Sequence, residues 1–220
     1  MINNVAIHGT VEPGFESIKT LFEHNMRTLK EQHTQLCIYV KGKKVVDLWG
    51  SAIDEGDFSP DSLVNIFSSG KSLESIAVGS LVGKGLVDFD DKVIKYWPEF
   101  GQAGKEQLTI ADLMRHEAGL AGLDTSIEPL DLYRSSIKEN KIGEIIEAQK
   151  QKFPKDTPRE YHAATRGWIV NEVFRRIDPK GRTMGEFFEE EINTTLGTET
   201  LIGVSEEAYS RRVPVVPLSF

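Results

Sequence analysis

The sequence lacks several features that would assign it to a functional class. Cys37 is the single cysteine among 220 residues, so no disulfide can form within the chain. No apolar run approaches the ~20 residues that a membrane-spanning helix needs. The stretch from Met1 to Val5 carries neither the positive charge nor the apolar core of a secretory signal. We therefore expect a cytoplasmic protein without a membrane span, with organellar targeting left open.

Positive charge and metal-ligand patterns are also scarce. The chain has 26 Lys and Arg residues against 34 Asp and Glu, which gives a net charge of −8, and the basic residues form no cluster. Nucleic acids and anionic membranes attract basic surfaces, so the composition excludes both as partners. His116-Glu117 lacks the second histidine of a zinc-binding helix, and no Gly-rich phosphate-binding loop stands out. We predict no metal and no cofactor.

Apolar periodicity predicts a helix, then a β-hairpin, then a long helical stretch. Helical spacing of apolar residues predicts an amphipathic helix over residues ~13–31. The β-rich runs Leu36–Val40 and Val45–Trp49 flank a glycine-containing turn, as in a hairpin. Cys37 in the first run is expected to be a small buried hydrophobe and not a nucleophile. Two strands do not form a stable sheet alone, so partner strands are expected beyond Phe220.

The stretch after the hairpin predicts five helices with local end signals. Thr109 and Thr183 each precede an acidic residue by three positions, which is the pattern of a capping box. Gly119 is expected to close the helix that Thr109 opens. The five predicted helices run from Leu73 to Gly83 or Gly85, from Thr109 to Gly119, around Ile142 to Ile146, from Thr165 to Ile177, and from Thr183 onward.

Two Ser-x-x-Lys tetrapeptides, Ser68–Lys71 and Ser135–Lys138, are candidates for nucleophilic chemistry. At the start of a helix, residues three apart share one face, so the lysine amine can reach the serine hydroxyl and take up its proton. The serine's backbone N–H at the helix N-terminus can also stabilise an oxyanion. Chance alone gives about one such match in a chain of this length. Ser68 is favoured because it precedes an apolar helix, whereas Ser135 lies in a polar, surface-like stretch.

Longer matches surround Ser68 and follow one another in a fixed order. They are Val45–Gly50, Asn65–Leu73, the pair Gly85–Val93 and Tyr96–Phe100, Leu108–Leu120, and Tyr161–Gly167. Together these stretches resemble the β-lactamase-related family, which includes class C β-lactamases, D,D-peptidases, family VIII esterases and animal β-lactamase-domain proteins. The resemblance implies an α/β (mixed α+β) fold of the β-lactamase/transpeptidase type. In that fold a helical region is inserted between the strands of an antiparallel sheet.

The resemblance also implies roles for three residues. Ser68 would be the acylated nucleophile, Lys71 its proton partner, and Tyr161 the tyrosine of the family's Tyr-x-Asn element, which passes the proton to the leaving group. A phenol that acts as a base needs a pKa well below its usual value, and the nearby Lys71 would lower it. Ala163 replaces the asparagine of that element, as in the esterase-like branch, which favours an ester or peptide substrate over a β-lactam. The adjacent His162 is expected to be a surface or packed histidine and not a residue that tunes Tyr161.

The family's third element, Lys-Thr-Gly or His-x-Gly on a strand, occurs nowhere in this sequence. In the family it follows the helical region and supplies a second oxyanion donor, worth about 10²–10³ in rate. We therefore expect a truncated product, a single domain over residues 1–220 that lacks its C-terminal strands, so that the sheet is incomplete. Residues 1–79 would hold the N-terminal helix, the hairpin and the start of the nucleophile helix, and residues 80–210 the mostly helical region.

The sequence thus predicts a serine hydrolase that acts on a small-molecule ester, amide or peptide through an acyl-enzyme on Ser68, impaired in this shortened form. An alternative is a catalytically inactive β-lactamase-like protein that binds a partner or self-associates, which Ala163 and the missing third element favour. Intact Ser68, Lys71 and Tyr161 argue against that alternative. A third hypothesis is a partial chain that does not fold stably.

Overall fold

The computed structural model describes residues 5–29, 31–53, 58–153 and 159–216. It divides into two compact units, the first formed by residues 1–65 and 205–220 and the second by residues 66–204. Each unit has an apolar core of its own. Within the described ranges, no helix is long and apolar enough to cross a membrane.

The first unit contains a three-stranded antiparallel sheet. Its strands are β1 (Ala6–Val11), β2 (His33–Val40) and β3 (Lys43–Ser51), and β3 lies between the other two. The hairpin of β2 and β3 confirms the predicted pair of strands, with longer bounds. Helix α1 (Glu16–Thr28) covers one face of this sheet and is shorter than the predicted 13–31. A short helix, Glu206–Ser210, also belongs to this unit.

The hairpin pairs with a strand that precedes it in the chain, which the sequence analysis did not predict. Strand β1 pairs along its whole length with β3. Ile7 and Val11 pack against the core, but the polar and glycine residues between them obscure the two-residue period of a strand. Gly9 (φ +101°) brings β1 so close to β3 that a Cβ there would collide with the Asp47 carbonyl.

Cys37 is exposed, which corrects the expectation that it is a buried hydrophobe. Side chains point alternately to the two faces of a strand. Leu36 and Ile38 pack against the apolar core of the first unit, so Cys37 between them points to the opposite face. The alternation along β2, and not the apolar character of the run, decides its burial.

The second unit is mostly helical over its described residues, as predicted. Its core includes the fully buried side chains of Leu81, Trp97, Phe100 and Phe174. Its helices are α2 (Lys71–Gly83), α3 (Ile110–Met114), α4 (Arg134–Lys138), α5 (Lys141–Ala148), α6 (Thr165–Ile177) and α7 (Met184–Phe187), which continues through a π-helical stretch, Phe188–Asn193, to Thr194–Leu196. Single 3₁₀ turns lie at Phe67–Gly70, Val93–Lys95, Pro98–Gly101 and Pro129–Leu132.

The capping boxes predicted at Thr109 and Thr183 are present. Each threonine hydroxyl accepts the backbone N–H three residues on, and the acidic side chain there accepts the threonine's own N–H. The prediction that Gly119 closes α3 is wrong, because the helix ends at Met114. His116 adopts the left-handed conformation (φ +63°), so the chain leaves helical geometry well before Gly119.

Candidate active site

Ser68 lies in the 3₁₀ turn that leads into helix α2. The α-helix itself starts at Lys71, so the serine lies just before the helix and not within its first α-helical turn. Lys71 Nζ is 3.4 Å from Ser68 Oγ, which places the amine beside the hydroxyl as the spacing predicted. The preceding residue, Phe67, has φ +45°, a backbone conformation that is costly for a bulky side chain. Strain is thus concentrated next to the candidate nucleophile.

Tyr161 approaches Ser68 from a separate segment, the loop that precedes α6. Tyr161 Oη is 2.6 Å from Ser68 Oγ, although the two residues are 93 positions apart. Either hydroxyl can donate in this contact, because each carries a proton and lone pairs. The tyrosine is 54% exposed, so solvent and small molecules have access to it. The structure therefore brings together the three residues that the resemblance singled out.

Lys71 reaches the same point from the first turn of α2. Its Nζ donates to the backbone carbonyl of Ala163 at 2.7 Å and lies 5.0 Å from the centre of the Tyr161 ring. Hydrogen bonding, from Ser68 first and from Lys71 next, lowers the pKa of the Tyr161 phenol below its usual value. This environment favours the phenolate, which is the form that can accept a proton from a serine.

His162 is buried, and its ring links two loops through hydrogen bonds. Its Nε2 accepts the backbone N–H of Leu120 at 3.0 Å, and its Nδ1 lies 2.6 Å from the Glu160 carbonyl. Nδ1 must carry the proton in that contact, since a carbonyl only accepts, and the ring is then neutral. Burial lowers the pKa of His162, which agrees with the neutral ring. The expectation of a packed histidine is confirmed.

His116, which the sequence reading considered only as a zinc ligand, lies against Tyr161. The centres of the two rings are 4.9 Å apart. His116 Nδ1 accepts the backbone N–H of His162 at 3.0 Å. Burial first, and the charge of Arg166 next, lower the pKa of His116 to about 4. Among the described residues, no three His, Cys, Asp or Glu side chains are grouped to hold a metal ion.

A buried guanidinium, that of Arg166 in α6, lies behind the site. Its Nε pairs with Glu74 Oε2 at 2.6 Å. Its Nη2 donates to the Lys71 carbonyl at 3.1 Å, and its Nη1 donates to the Met114 carbonyl at 3.0 Å. Nη1 is also 3.1 Å from His116 Nε2. Burial raises the pKa of Glu74, and the charges of Arg166 and Lys71 oppose that shift.

Neither Arg166 nor Glu74 could be identified as a site residue from the sequence. Charged residues on a helix usually lie at the surface, and the sequence does not show which charges become partners. The two residues are 92 positions apart, and their contact forms only when α2 and α6 pack together. The signal that was available is weak: Arg166 falls inside the Tyr161–Gly167 stretch that resembles the family.

The second Ser-x-x-Lys match does not bring its two side chains together. Ser135 and Lys138 are exposed residues of the five-residue helix α4. Lys138 Nζ forms an ion pair with Glu186 at 2.6 Å. The amine is therefore engaged by a carboxylate, and the interpretation of this stretch as a solvated surface is confirmed.

The fold and the geometry around Ser68 define a mixed α/β protein in which one serine hydroxyl lies between an amine and a phenol. The family model described as Beta-lactamase matches residues 18–216. The chain belongs to the Beta-lactamase family, which confirms the resemblance and the fold class inferred from the motifs.

Named relatives include esterases and a penicillin-binding-protein homologue. The chain is 30% identical over 198 residues to the esterase/beta-lactamase LipL of Mycobacterium tuberculosis, a match that covers 89% of this chain and 44% of LipL. It is similar to a crystal structure of a family VIII carboxylesterase (TM-score 0.87, 31% identity, 97% of this chain and 58% of that one). A penicillin-binding protein homologue from Caulobacter crescentus gives a TM-score of 0.86 at 30% identity, over 96% of this chain and 56% of that one. The chain thus spans about half the length of these relatives.

Proposed function

We propose that this chain carries the nucleophile of a serine hydrolase that cleaves carboxylic esters through an acyl-enzyme on Ser68. The observation that carries the proposal is the 2.6 Å contact between Ser68 Oγ and Tyr161 Oη, with Lys71 Nζ 3.4 Å from the same serine oxygen. A hydroxyl becomes a useful nucleophile when a base lies within hydrogen-bonding reach. The names of the relatives, an esterase/beta-lactamase and a carboxylesterase, support an ester as the substrate class.

Tyr161 is assigned the role of the base. Its phenolate accepts the proton of Ser68 while Ser68 Oγ forms a bond to the carbonyl carbon of the ester. The bond from that carbon to the alkoxy oxygen then breaks, and Tyr161 returns the proton to the departing alcohol. In the second half, water attacks the acyl carbon and gives a proton to Tyr161, which passes it to Ser68 Oγ as the acid leaves. Lys71 stabilises the phenolate from its position beside the Ala163 carbonyl.

The oxyanion of the tetrahedral intermediate needs N–H donors. The turn that holds Ser68 opens helix α2, and the N–H groups and dipole of a helix start favour negative charge. We assign the backbone N–H of Ser68 as one donor. The sequence contains no Lys-Thr-Gly or His-x-Gly, and loss of one oxyanion donor costs about 10²–10³ in rate. Acylation of the 220-residue chain is therefore expected to be slow but measurable.

The surroundings of Lys71 favour an ester over an amide. An alcohol leaves more readily than an amine does, so ester cleavage asks less of the group that protonates the leaving atom. The Lys71 amine donates a hydrogen bond to the backbone carbonyl of Ala163. The side chain of Ala163 is an exposed methyl group, so it offers no further hydrogen-bonding group to the substrate. We therefore expect p-nitrophenyl butyrate to be a substrate and a chromogenic cephalosporin to react far more slowly.

The test is the intact mass of the 220-residue chain after treatment with a fluorophosphonate, which forms a Ser Oγ–P bond with loss of fluoride. The expected result is a gain of one probe that Ser68→Ala abolishes. Ser135→Ala is the matched control, because it removes the serine of the other Ser-x-x-Lys match and should leave labelling unchanged. A cooperative thermal melt shows whether each variant is folded.

Absence of labelling in a chain that melts cooperatively would contradict the proposal. It would favour the alternative of a β-lactamase-like protein that binds a partner without chemistry. Equal loss of labelling in Ser68→Ala and Ser135→Ala would contradict the assignment of Ser68. A chain that shows no cooperative melt would instead support the hypothesis that these 220 residues do not fold stably alone.

A further inference from the structure

A buried polar chain formed by Glu74, Arg166 and His116 lies directly behind the candidate catalytic residues. We propose that these three are positioning residues, which hold Tyr161 and Lys71 in contact with Ser68. The proposal rests on the proposed function, because it concerns how the same site is held in its reactive geometry. Its experiment includes a measurement that does not depend on activity.

The guanidinium of Arg166 donates hydrogen bonds to two helices of the second unit, α2 and α3. Nη2 binds the carbonyl of Lys71 at the start of α2, and Nη1 binds the carbonyl of Met114 at the end of α3. Nε binds Glu74, one turn after Lys71 in α2. The planar guanidinium fixes the directions of these bonds, and a lysine amine could not reproduce them. The backbone that carries the Lys71 amine is therefore held from α6.

His116 holds the peptide that follows Tyr161. Its Nδ1 accepts the N–H of His162, the residue after Tyr161, while its ring packs on the Tyr161 ring. Its Nε2 lies 3.1 Å from Arg166 Nη1. A neutral imidazole accepts at one nitrogen only, so acceptance at Nδ1 leaves the ring proton on Nε2, and protonation of the ring would remove the Nδ1 acceptor.

The Tyr161 side chain depends on such a support because it is 54% exposed. A tyrosine with that much freedom gains little from burial and needs specific contacts to hold one rotamer. His116 contacts one part of its ring, and Lys71 Nζ lies 5.0 Å from the ring centre. A displacement of about 1 Å in a catalytic group can cost 10²-fold in rate. Small changes in the buried chain are thus expected to affect the chemistry strongly.

The charge of Arg166 also acts on Tyr161. It is among the causes that lower the pKa of the phenol, after the hydrogen bonds of Ser68 and Lys71. Removal of that charge, together with displacement of Tyr161 from Ser68, should raise the pKa of the phenol toward its ordinary value near 10. A residue with a merely structural role would leave the titration of Tyr161 where it is.

The central experiment compares Arg166→Met with Arg182→Met. Arg182 is a matched control because it is equally buried (5% against 7% exposed) and pairs with a buried carboxylate, Asp178, in the same unit. Both variants leave a buried carboxylate without its partner, so both should lower the melting temperature. The fluorophosphonate labelling rate of Ser68 is expected to fall about 100-fold in Arg166→Met and to stay close to wild type in Arg182→Met.

A second comparison concerns His116. Asparagine tolerates the left-handed backbone and offers Oδ1 in place of Nδ1 as an acceptor for His162 N–H. His116→Ala offers no acceptor and retains the backbone strain. We expect His116→Asn to keep most of the labelling rate and His116→Ala to lose it. Equal loss in the two variants would overturn the assigned role of the acceptor.

The measurement independent of activity is the absorbance titration of Tyr161, taken as the difference between each protein and its Tyr161→Phe variant. The titration midpoint should move upward in Arg166→Met and stay in place in Arg182→Met. An unchanged midpoint in a folded Arg166→Met variant would overturn the positioning role, whether or not Ser68 is labelled. If the wild type is not labelled but the midpoint moves as expected, the proposed function fails and the effect of Arg166 on Tyr161 stands.

Discussion

The backbone carbonyl of Ala163 accepts a hydrogen bond from Lys71 Nζ at 2.7 Å, so the main chain helps to orient this amine. The same amine is 3.4 Å from Ser68 Oγ and 5.0 Å from the centre of the Tyr161 ring. The loop before α6 thus contributes both the phenol and the acceptor that holds the amine. A side-chain change at residue 163 leaves that acceptor in place, whereas a change at residue 71 removes the amine from both groups.

Lys71→Met is expected to slow the labelling of Ser68 by about 10²–10⁴, the range typical of a group that takes part in proton transfer. The rate should rise with pH as Tyr161 loses its proton. Since a Lys71 hydrogen bond helps to lower the pKa of Tyr161, its loss should move the midpoint of that rise to higher pH. The measurement is the labelling rate between about pH 6 and 10. Ala163→Ser is the control, and an equal loss in that variant would contradict the role given to the carbonyl.

Substitutions at Phe67 test whether backbone strain next to Ser68 lowers the stability of the chain and raises the reactivity of Ser68. Its φ of +45° is left-handed, and such a residue costs about 1–2 kcal/mol relative to glycine. Phe67→Gly and Phe67→Ala lose the same aromatic ring, so their difference reports the backbone alone. We expect the glycine variant to have the larger free energy of unfolding in urea, the reverse of the usual order, and the slower labelling of Ser68. A more stable alanine variant would show that no strain is stored there.

The sequence carried enough information for the local features of the fold. The capping boxes at Thr109 and Thr183 involve residues three positions apart, so the pattern alone predicts them. The burial of Cys37 was predicted wrongly because an apolar run was given more weight than the alternation of a strand. Strand β1 was missed because it pairs with residues some 40 positions later in the chain, as in the pair Ala6↔Ser51.

The sequence predicted the site residues that belong to a motif. It did not predict the residues whose contacts form only when helices pack together. Ser68 and Lys71 were identified from the Ser-x-x-Lys pattern and Tyr161 from the family resemblance, and the structure places both Lys71 and Tyr161 beside Ser68. Arg166 and Glu74 came from neither, because their ion pair joins two helices whose packing the sequence does not show. His162 was expected to be a surface or packed histidine, yet only the structure shows that its ring forms hydrogen bonds to two loops. Long-range contacts are therefore the part that sequence reasoning left open.

Gly119 and Gly85 offer a matched pair for the loop behind the site. Both are left-handed, with φ of +67° and +69°. A Cβ at Gly119 would lie 2.7 Å from the Phe153 carbonyl oxygen, whereas one at Gly85 meets no atom of the described residues within 4 Å. Gly85→Ala should therefore cost only the backbone penalty of about 1–2 kcal/mol, and Gly119→Ala clearly more.

The same pair of variants should also differ at the site. Gly119 precedes Leu120, whose N–H donates to His162. The collision of the added Cβ with the Phe153 carbonyl should therefore displace the loop that His162 holds through this hydrogen bond. We expect Gly119→Ala to slow labelling of Ser68 in protein that still melts cooperatively, and Gly85→Ala to leave it unchanged. Urea unfolding and the labelling rate measure the two effects. Equal free energies of unfolding for the two variants would show that the loop at Gly119 accommodates the added Cβ without loss of stability.

Lys105 is expected to make the stability of the chain depend on pH. It is fully buried, and its Nζ donates to the carbonyls of Glu147 and Gln149 at 2.9 and 2.5 Å. Burial lowers its pKa to about 8 from 10.5. Between these two values the unfolded chain binds more protons than the native one, so the contribution of Lys105 to stability rises with pH in that window.

Lys105→Met removes this titration while keeping an unbranched side chain of similar length. The free energy of unfolding of the wild type should therefore increase relative to Lys105→Met from pH 8 to pH 10, by at most about 1.4 kcal/mol per pH unit. Neutral Lys105 still has two N–H groups for its two carbonyl acceptors, so loss of the charge does not break those bonds. Urea unfolding at pH 7, 8.5 and 10, followed by tryptophan fluorescence, is the measurement. Parallel curves for the two proteins would mean that Lys105 stays charged in the folded chain throughout this range.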